Sequence, residues 1–328
     1  MIKIPGLIDL QINGYKGIDF SDPQIEEEDI IKAFGEILDS CCSAFFPTII
    51  TSPESTYKRN LGLISKVIEM PRFKGMVPGI HAEGPFISPE TGACGVHKKE
   101  WIRKPDIGFL DKLIEWSNGK IRLLTIAAET EGSGKLTGHA VKKGITVSLG
   151  HELALDKDME KAVKAGAKAL THLGNGIPNL INRHHNSIWA GLANDELYAM
   201  LITDGHHLPH SLIKTVIKAK GVSKCIVTSD SAPLAGMPPG KYVYNGEEVS
   251  LEENGLLHNI GRGYLAGSSS SMIQCMNYLA SLDFLDTGGL LKIGFYNPLE
   301  LIGVSPESIK NPRQFYFDEI SRIFSIES

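Results

Sequence analysis

No run of about 18 apolar residues occurs in the 328-residue chain, so no transmembrane helix is expected. The opening residues, MIKIPGLIDL, show no charged region followed by an apolar stretch and a cleavage site, so no signal peptide is expected. Basic charge is not in excess. The net charge is −5, which lacks the footprint of a nucleic-acid binder. Cysteine is scarce. Cys41, Cys42, Cys94, Cys225 and Cys275 are odd in number and contain no CxxC pair. They read as reduced thiols of a cytoplasmic protein. No internal repeat or low-complexity tract is present, and no GxGxxG follows the first apolar run, which leaves a dinucleotide fold little support.

The residues that are there belong to a soluble globular chain, 42% hydrophobic and 22% charged. The length suits one large α/β barrel or two ordinary domains. Strand-like apolar runs recur at Leu7–Ile12, Ala44–Ile50, Met76–Ala82, Arg122–Ala128, Thr146–Leu149, Ala169–His172, Tyr198–Ile202 and Cys225–Thr228. Amphipathic segments with apolar residues three or four apart lie between them, at Glu26–Leu38, Thr56–Glu69, Ile107–Trp116 and Lys157–Ala165. Leu212–Lys220 and Ser268–Leu282 supply the last two helices. Eight strands alternating with helices predict a parallel sheet, and eight is the number that closes a (β/α)₈ TIM-type barrel. An open doubly wound sheet is the alternative. Residues 1–310 form the expected barrel. Within it the Gly- and Pro-rich stretch Pro233–Glu253 reads as a long loop with a β-hairpin. Residues 311–328 are a tail with no clear partner element.

In a barrel of this kind chemistry sits at the C-terminal ends of the strands. Those ends carry Gln11-Ile12-Asn13, Glu83, Gly150-His151, His172, Asp204-Gly205-His206-His207 and Ser229-Asp230. A carboxylate closing a buried strand is costly unless a cation or hydrogen-bond donors receive it. One carboxylate and two imidazoles from three strands make the ligand set of a catalytic metal with a position left for water. A lone strand-end Glu as readily only reaches solvent, and a lone His more often satisfies the core or the surface; the recurrence at equivalent points of a repeat favours the metal. Asp230, before a turn, suits a proton acceptor beside a metal-bound water, and an Asx-turn is the plainer alternative. His97, His139, His210 and His258 lie in polar or helical stretches and read as surface residues, with His97 able to serve as an oxyanion donor if its loop bends inward. His184 and His185 fall in the loop after the sixth strand.

The chain resembles the N-acetylglucosamine-6-phosphate deacetylases of the amidohydrolase superfamily. The matching motifs are PGLIDLQING at 5–14, HAEGPFIS at 81–88, GHELA at 150–154 and THLGNGIP at 171–178. TDGHHLP at 203–209, VTSDSAP at 227–233, LAGSSSSM at 265–272 and NPLELIGV at 297–304 complete the ordered set. The resemblance implies that Glu83, His151 and His172 bind one divalent metal, zinc or iron, and that Asp230 is general base and then general acid. Many superfamily members carry His-x-His on the first strand and bind two metals. Gln11 and Asn13 stand there in this chain, so the second metal position is expected to be lost.

The resemblance maps sugar contacts to Ala93, Cys94, Asn175, Gly176, Leu265, Ala266 and Gly267. It maps phosphate contacts to Arg183 and His207, one of them from the neighbouring subunit of a homodimer. It implies deacetylation of an N-acetylhexosamine 6-phosphate in the cytoplasm, with a small amino sugar as partner and neither nucleic acid nor membrane. The alternatives are an amidohydrolase for another N-acyl amine or cyclic amide, and a non-catalytic sugar-binding barrel.

The chain also departs from the family. Arg183 continues as His184-His185-Asn186 where the family has Glu-Pro-Gly, and the segment before Gly191 looks about two residues longer. Cys94 stands where a His is common. The small β-sandwich usual in the family is expected to be missing or vestigial.

Overall fold

A computed structural model of the chain describes residues 1–261, 264–311 and 313–327. Residues 312 and 328 of the expected tail, and 262–263 of the expected barrel, lie outside the described residues. Eight parallel strands form one sheet: β1 (Ile8–Ile12), β2 (Ala44–Ile50), β3 (Ile80–Glu83), β4 (Ile121–Ile126), β5 (Thr146–Leu149), β6 (Ala169–Leu170), β7 (Tyr198–Leu201) and β8 (Cys225–Val227). Each is followed by a helix: α1 (Glu27–Ser40), α2 (Glu54–Ile68), α3 (Ile107–Trp116), α4 (Ser133–Lys142), α5 (Asp156–Lys164), α6 (Ser187–Ala193), α7 (His210–Lys220) and α8 (Met272–Ser281). The strands pair in sequence order from β1 to β8, which is the expected barrel.

The seam between β1 and β8 is closed mostly by side chains. One parallel bridge joins Ile12 to Ser231, and the Asn13 N–H donates to the Ser231 carbonyl at 2.9 Å. The fully buried carboxylate of Asp9 does the rest. It accepts from the Thr228 hydroxyl at 2.7 Å, from the Ser229 N–H at 3.2 Å and from the Ser229 hydroxyl. Burial pushes its pKa up, and these donors oppose the rise. A buried ion costs several kcal/mol unless it is paired or hydrogen-bonded, so the carboxylate ties the two strands wherever they carry those donors.

Side chains alternate along each strand. Ile80 and Ala82 of β3 join the large outer core against the helices, with Phe45, Ile49, Leu124, Ile126, Val147 and Leu149. The inward residues are layered. At the N-terminal end Ile8, Leu10, Phe46, Leu123, Met200 and Ile226 pack with Phe295, Leu299, Leu301 and Ile302. The last three belong to the helix Asn297–Ile302, which plugs that mouth. The Asn297 amide donates there to the carbonyls of Val222 and Cys225 at 2.7 Å each. Burying each such side chain stabilises the fold by roughly 1.5–3 kcal/mol.

One step higher the interior turns polar. His81 Nε2 meets the Thr125 hydroxyl at 2.8 Å, Thr125 meets Thr171 at 2.8 Å, and Thr171 donates to Ser148 at 2.6 Å. This hydrogen-bonded floor lies directly beneath Glu83.

Several boundaries differ from expectation. β3 begins at Ile80 rather than Met76, because Met76 and Val77 close turns on Phe73 and Pro78-Gly79 follows. Helices α4 and α6 were not anticipated. The first holds two glycines and a Gly132 cap, and the second is seven residues long, so neither shows a helical period. The Gly/Pro-rich stretch does form a hairpin, β9 (Gly240–Tyr244) and β10 (Glu247–Leu251). Its turn, Asn245-Gly246, has both φ angles positive, as a two-residue hairpin turn of this type requires. A third strand, β11 (Leu257–Asn259), pairs with β10.

The tail forms β12 (Phe315–Asp318) and β13 (Ile323–Ile326), and β12 pairs antiparallel with the edge strand Ile2–Ile4. Phe315, Phe317 and Phe324 of this three-stranded sheet are buried in the main core. Among the described residues no helix is long and apolar enough to cross a membrane.

Candidate metal centre

Glu83 ends β3 on the inward face, two residues above His81 and so in register with the polar floor. His151, His172 and Asp230 follow β5, β6 and β8. Each has a left-handed backbone, with φ of 51°, 32° and 48°. Such a conformation is unfavourable for a residue with a Cβ and persists only where the surroundings fix it. Three of the four strand-end groups share it.

The side chains converge. His172 Nε2 lies 3.0 Å from Glu83 Oε1 and 3.0 Å from His151 Nε2, and His151 Nε2 lies 3.3 Å from Glu83 Oε1. All three residues are buried. Tetrahedral coordination at 2.0–2.1 Å separates neighbouring ligand atoms by roughly 3.3 Å, so these spacings suit a single small divalent ion. Burial works to raise the Glu83 pKa, and the imidazoles of His151, His172 and His97 outweigh it and hold the carboxyl well below its usual range.

Gln11 occupies the position beside this group on β1. Its amide nitrogen donates to Glu83 Oε1 at 2.7 Å and to Asp230 Oδ1 at 2.8 Å. Asn13 donates to the same Asp230 oxygen at 2.8 Å. Carboxylates only accept, so both amides must turn their nitrogens towards them. Their own oxygens, Gln11 Oε1 and Asn13 Oδ1, are left buried without a hydrogen-bond partner. One neutral amide thus stands between two carboxylates. Asp230 is pushed up to about 6 by burial and by the Glu83 charge, so its proton affinity is poised near neutrality.

His97 is the residue that sequence reasoning misplaced. It is buried rather than at the surface, and its ring meets that of His151 edge-on with centroids 4.4 Å apart. Ligand-type atoms of Glu83, His97 and His151 lie within 4.8 Å of one another. Burial, helped by His151, pushes the His97 pKa down to about 4, so the ring is neutral at pH 7. Nothing in the sequence around residue 97 is periodic, and only the fold brings this loop inward. His81 could have been found, since it shares the inward face of β3 with Glu83.

The other site candidates divide into two groups. Ala93 and Gly176 touch the centre itself. The Ala93 carbonyl accepts from His151 Nδ1 at 2.8 Å. A Cβ on Gly176 would come within 2.9 Å of His151 Nδ1 and 3.1 Å of His172 Cε1, and its φ is +62°, so only glycine fits. Asn175 stays close, its amide donating to the His172 carbonyl at 3.2 Å. Cys94 is buried one residue beyond Ala93. Leu265, Ala266 and Gly267 lead into Ser268, whose carbonyl accepts from the Ala232 N–H at 2.7 Å, so this strip runs alongside Asp230. His207 is held by Asp204, Nδ1 to Oδ2 at 2.7 Å. Arg183 is exposed, as are His184 and His185, whose N–H groups both donate to Asn182 at 3.0 Å.

Comparison with known proteins gives consistent relatives. The chain is 30% identical over 306 residues to the N-acetylglucosamine-6-phosphate deacetylase of Bacillus subtilis (strain 168), covering 92% of this chain and 76% of that one. It is 29% identical over 302 residues to the N-acetylgalactosamine-6-phosphate deacetylase of Escherichia coli O157:H7, covering 92% of this chain and 78% of the other. Among solved structures, an N-acetylglucosamine-6-phosphate deacetylase from Pasteurella multocida matches with a TM-score of 0.85 at 27% identity, over 98% of this chain and 84% of that chain. No family model matches.

Proposed function

The chain belongs to the N-acetylglucosamine-6-phosphate deacetylase family, and we propose that it removes the acetyl group from an N-acetylhexosamine 6-phosphate, N-acetylglucosamine 6-phosphate first. The observation that carries this reading is the convergence of Glu83 Oε1, His151 Nε2 and His172 Nε2 within 3.0–3.3 Å of one another, with Asp230 tied to the same group through Gln11.

Glu83, His151 and His172 would hold one divalent ion, zinc or iron, both of which suit nitrogen and oxygen donors. An ion bound there polarises a carbonyl oxygen and makes water nucleophilic at neutral pH. Asp230 takes a proton from the water that attacks the acetamide carbon. Gln11 and Asn13 both bind its Oδ1, which directs the transfer to Oδ2. As the C–N bond breaks, Asp230 returns the proton to the leaving nitrogen, and acetate and the amino sugar separate. Gln11 and Asn13 fill the place of a second metal with neutral amides, which supports one ion per chain.

Ala93, Cys94, Asn175, Gly176 and residues 265–267 form the rim against which the sugar would lie. His207, fixed by Asp204, and Arg183 would take the phosphate. The exposure of Leu180 and Arg183 on one loop, and of Trp189 in the helix α6 that follows it, supports a homodimer in which this loop serves the neighbouring subunit. The three-stranded sheet of Ile2–Ile4, β12 and β13 supports reading the family's small β-sandwich as vestigial in this chain. The reduced cysteines support a cytoplasmic protein.

The test is acetate release by the zinc-loaded protein from N-acetylglucosamine 6-phosphate, N-acetylgalactosamine 6-phosphate and free N-acetylglucosamine. Turnover of a phosphorylated sugar well above the free one is expected. Equal turnover of the free sugar would remove the phosphate site, and no acetate from any of the three would remove the function.

A further inference from the structure

His97 stands where a fourth protein ligand would be sought, and Thr51 decides against that role. The backbone N–H of Thr51 donates to His97 Nδ1 at 3.2 Å. An N–H can only donate, so Nδ1 is the nitrogen with the lone pair. The Thr51 hydroxyl, 2.8 Å from the same nitrogen, donates there too. The neutral ring therefore carries its proton on Nε2. His151 is arranged the opposite way. Its Nδ1 faces the Ala93 carbonyl, which can only accept, so Nδ1 holds the proton and Nε2 offers its lone pair to the centre.

The proton on His97 Nε2 has no hydrogen-bond partner, although the atom is buried. It faces Glu83 Oε2 at 3.6 Å. Glu83 Oε1 is the oxygen that faces His151 and His172. The two oxygens of one carboxylate thus face different imidazoles, Oε2 that of His97 and Oε1 those of His151 and His172, with the Gln11 amide also donating to Oε1 at 2.7 Å. We infer that His97 is a positioning residue: locked by Thr51 as an Nε2–H donor, it holds Glu83 Oε2 and so keeps Oε1, which also accepts from Gln11, turned towards the metal. A shift of about half an ångström brings the contact into hydrogen-bond range. The inference rests on the metal reading proposed above and adds a residue to it.

The experiment is a cobalt(II) titration of the full chain, of H97A and of H97Q, followed by affinity and by the visible absorption band. The wild-type chain should bind one cobalt. H97A should bind it about 10–100-fold more weakly, with the band unchanged in position and strength once saturated. H97Q, which keeps an N–H donor but offers a poor ligand, should recover most of the affinity. It also decides the matter if H97A fails to fold.

Wild-type affinity in H97A would overturn the inference. So would a saturated band in either variant that differs from wild type, since that would make His97 a ligand. A wild-type chain that binds no cobalt would overturn the metal reading, and this inference with it.

Discussion

The two halves of the site are built differently. Glu83, His151 and His172 are at most 6% exposed, stand at strand ends, and are held by neighbours on several elements. On the proposed phosphate side Arg183 is exposed in a loop where Leu180 is 94% exposed. The first half is fixed by the barrel that also holds the protein together. The loop that carries Arg183 is free to change without disturbing that barrel. Chemistry is therefore the constant in such a molecule, and the choice of substrate is the variable.

If that division is right, substitutions in the buried half should cost turnover and those in the loop should cost binding. Asp230→Asn should lower kcat by about 10²–10⁴-fold while metal content stays at one ion per chain. Metal analysis beside steady-state kinetics checks this, and near-normal kcat would remove Asp230 as the proton carrier. Glu83→Gln should weaken metal binding by more than about 100-fold, since loss of a group that merely orients a ligand already costs 10–100-fold. Full metal content after dialysis would mean that Glu83 is not a ligand.

In the other half, Arg183→Ala should raise KM for the phosphorylated sugar by about 10–100-fold, the worth of a charge-assisted hydrogen bond, and leave the free sugar unaffected. A drop in kcat without a change in KM would place Arg183 on the chemical side and blur the comparison.

The smallest effect concerns Asp204, the buried support of His207. Burial works to raise its pKa, but His207 and the N–H groups of residues 206 and 207 hold it at about 2. A carboxyl depressed in the folded state adds stability above its unfolded pKa, near 3.9. That stability is lost as pH falls through about 2. Asp204→Asn should therefore lower stability at pH 7 by on the order of 2 kcal/mol, with the gap to the parent closing below about pH 4. Urea midpoints at several pH values would show it. A gap that does not vary with pH would assign the effect to packing instead.

The same division governs what could be read from sequence. Strand ends announce themselves because an apolar run stops at a polar residue, and Glu83, His151, His172 and Asp230 were all legible that way. The repeat of strands and helices carried the barrel. Three things were hidden. His97 lies in an aperiodic loop, and only folding turns it inward. The sorting of donors and acceptors around Gln11, Asn13 and Thr51 depends on distances of 2.7–3.2 Å that no residue pattern encodes. The sheet made by Ile2–Ile4 with β12 and β13 joins segments about 310 residues apart, and three apolar residues at one end give no sign of a partner at the other.

The most direct test of the central claim is X-ray absorption fine structure on the zinc-loaded protein, which counts the imidazoles around the ion. The account predicts one zinc per chain with two imidazole nitrogens and oxygen donors completing the shell. Three imidazoles, or scattering from a second zinc at roughly 3.5–4 Å, would contradict it.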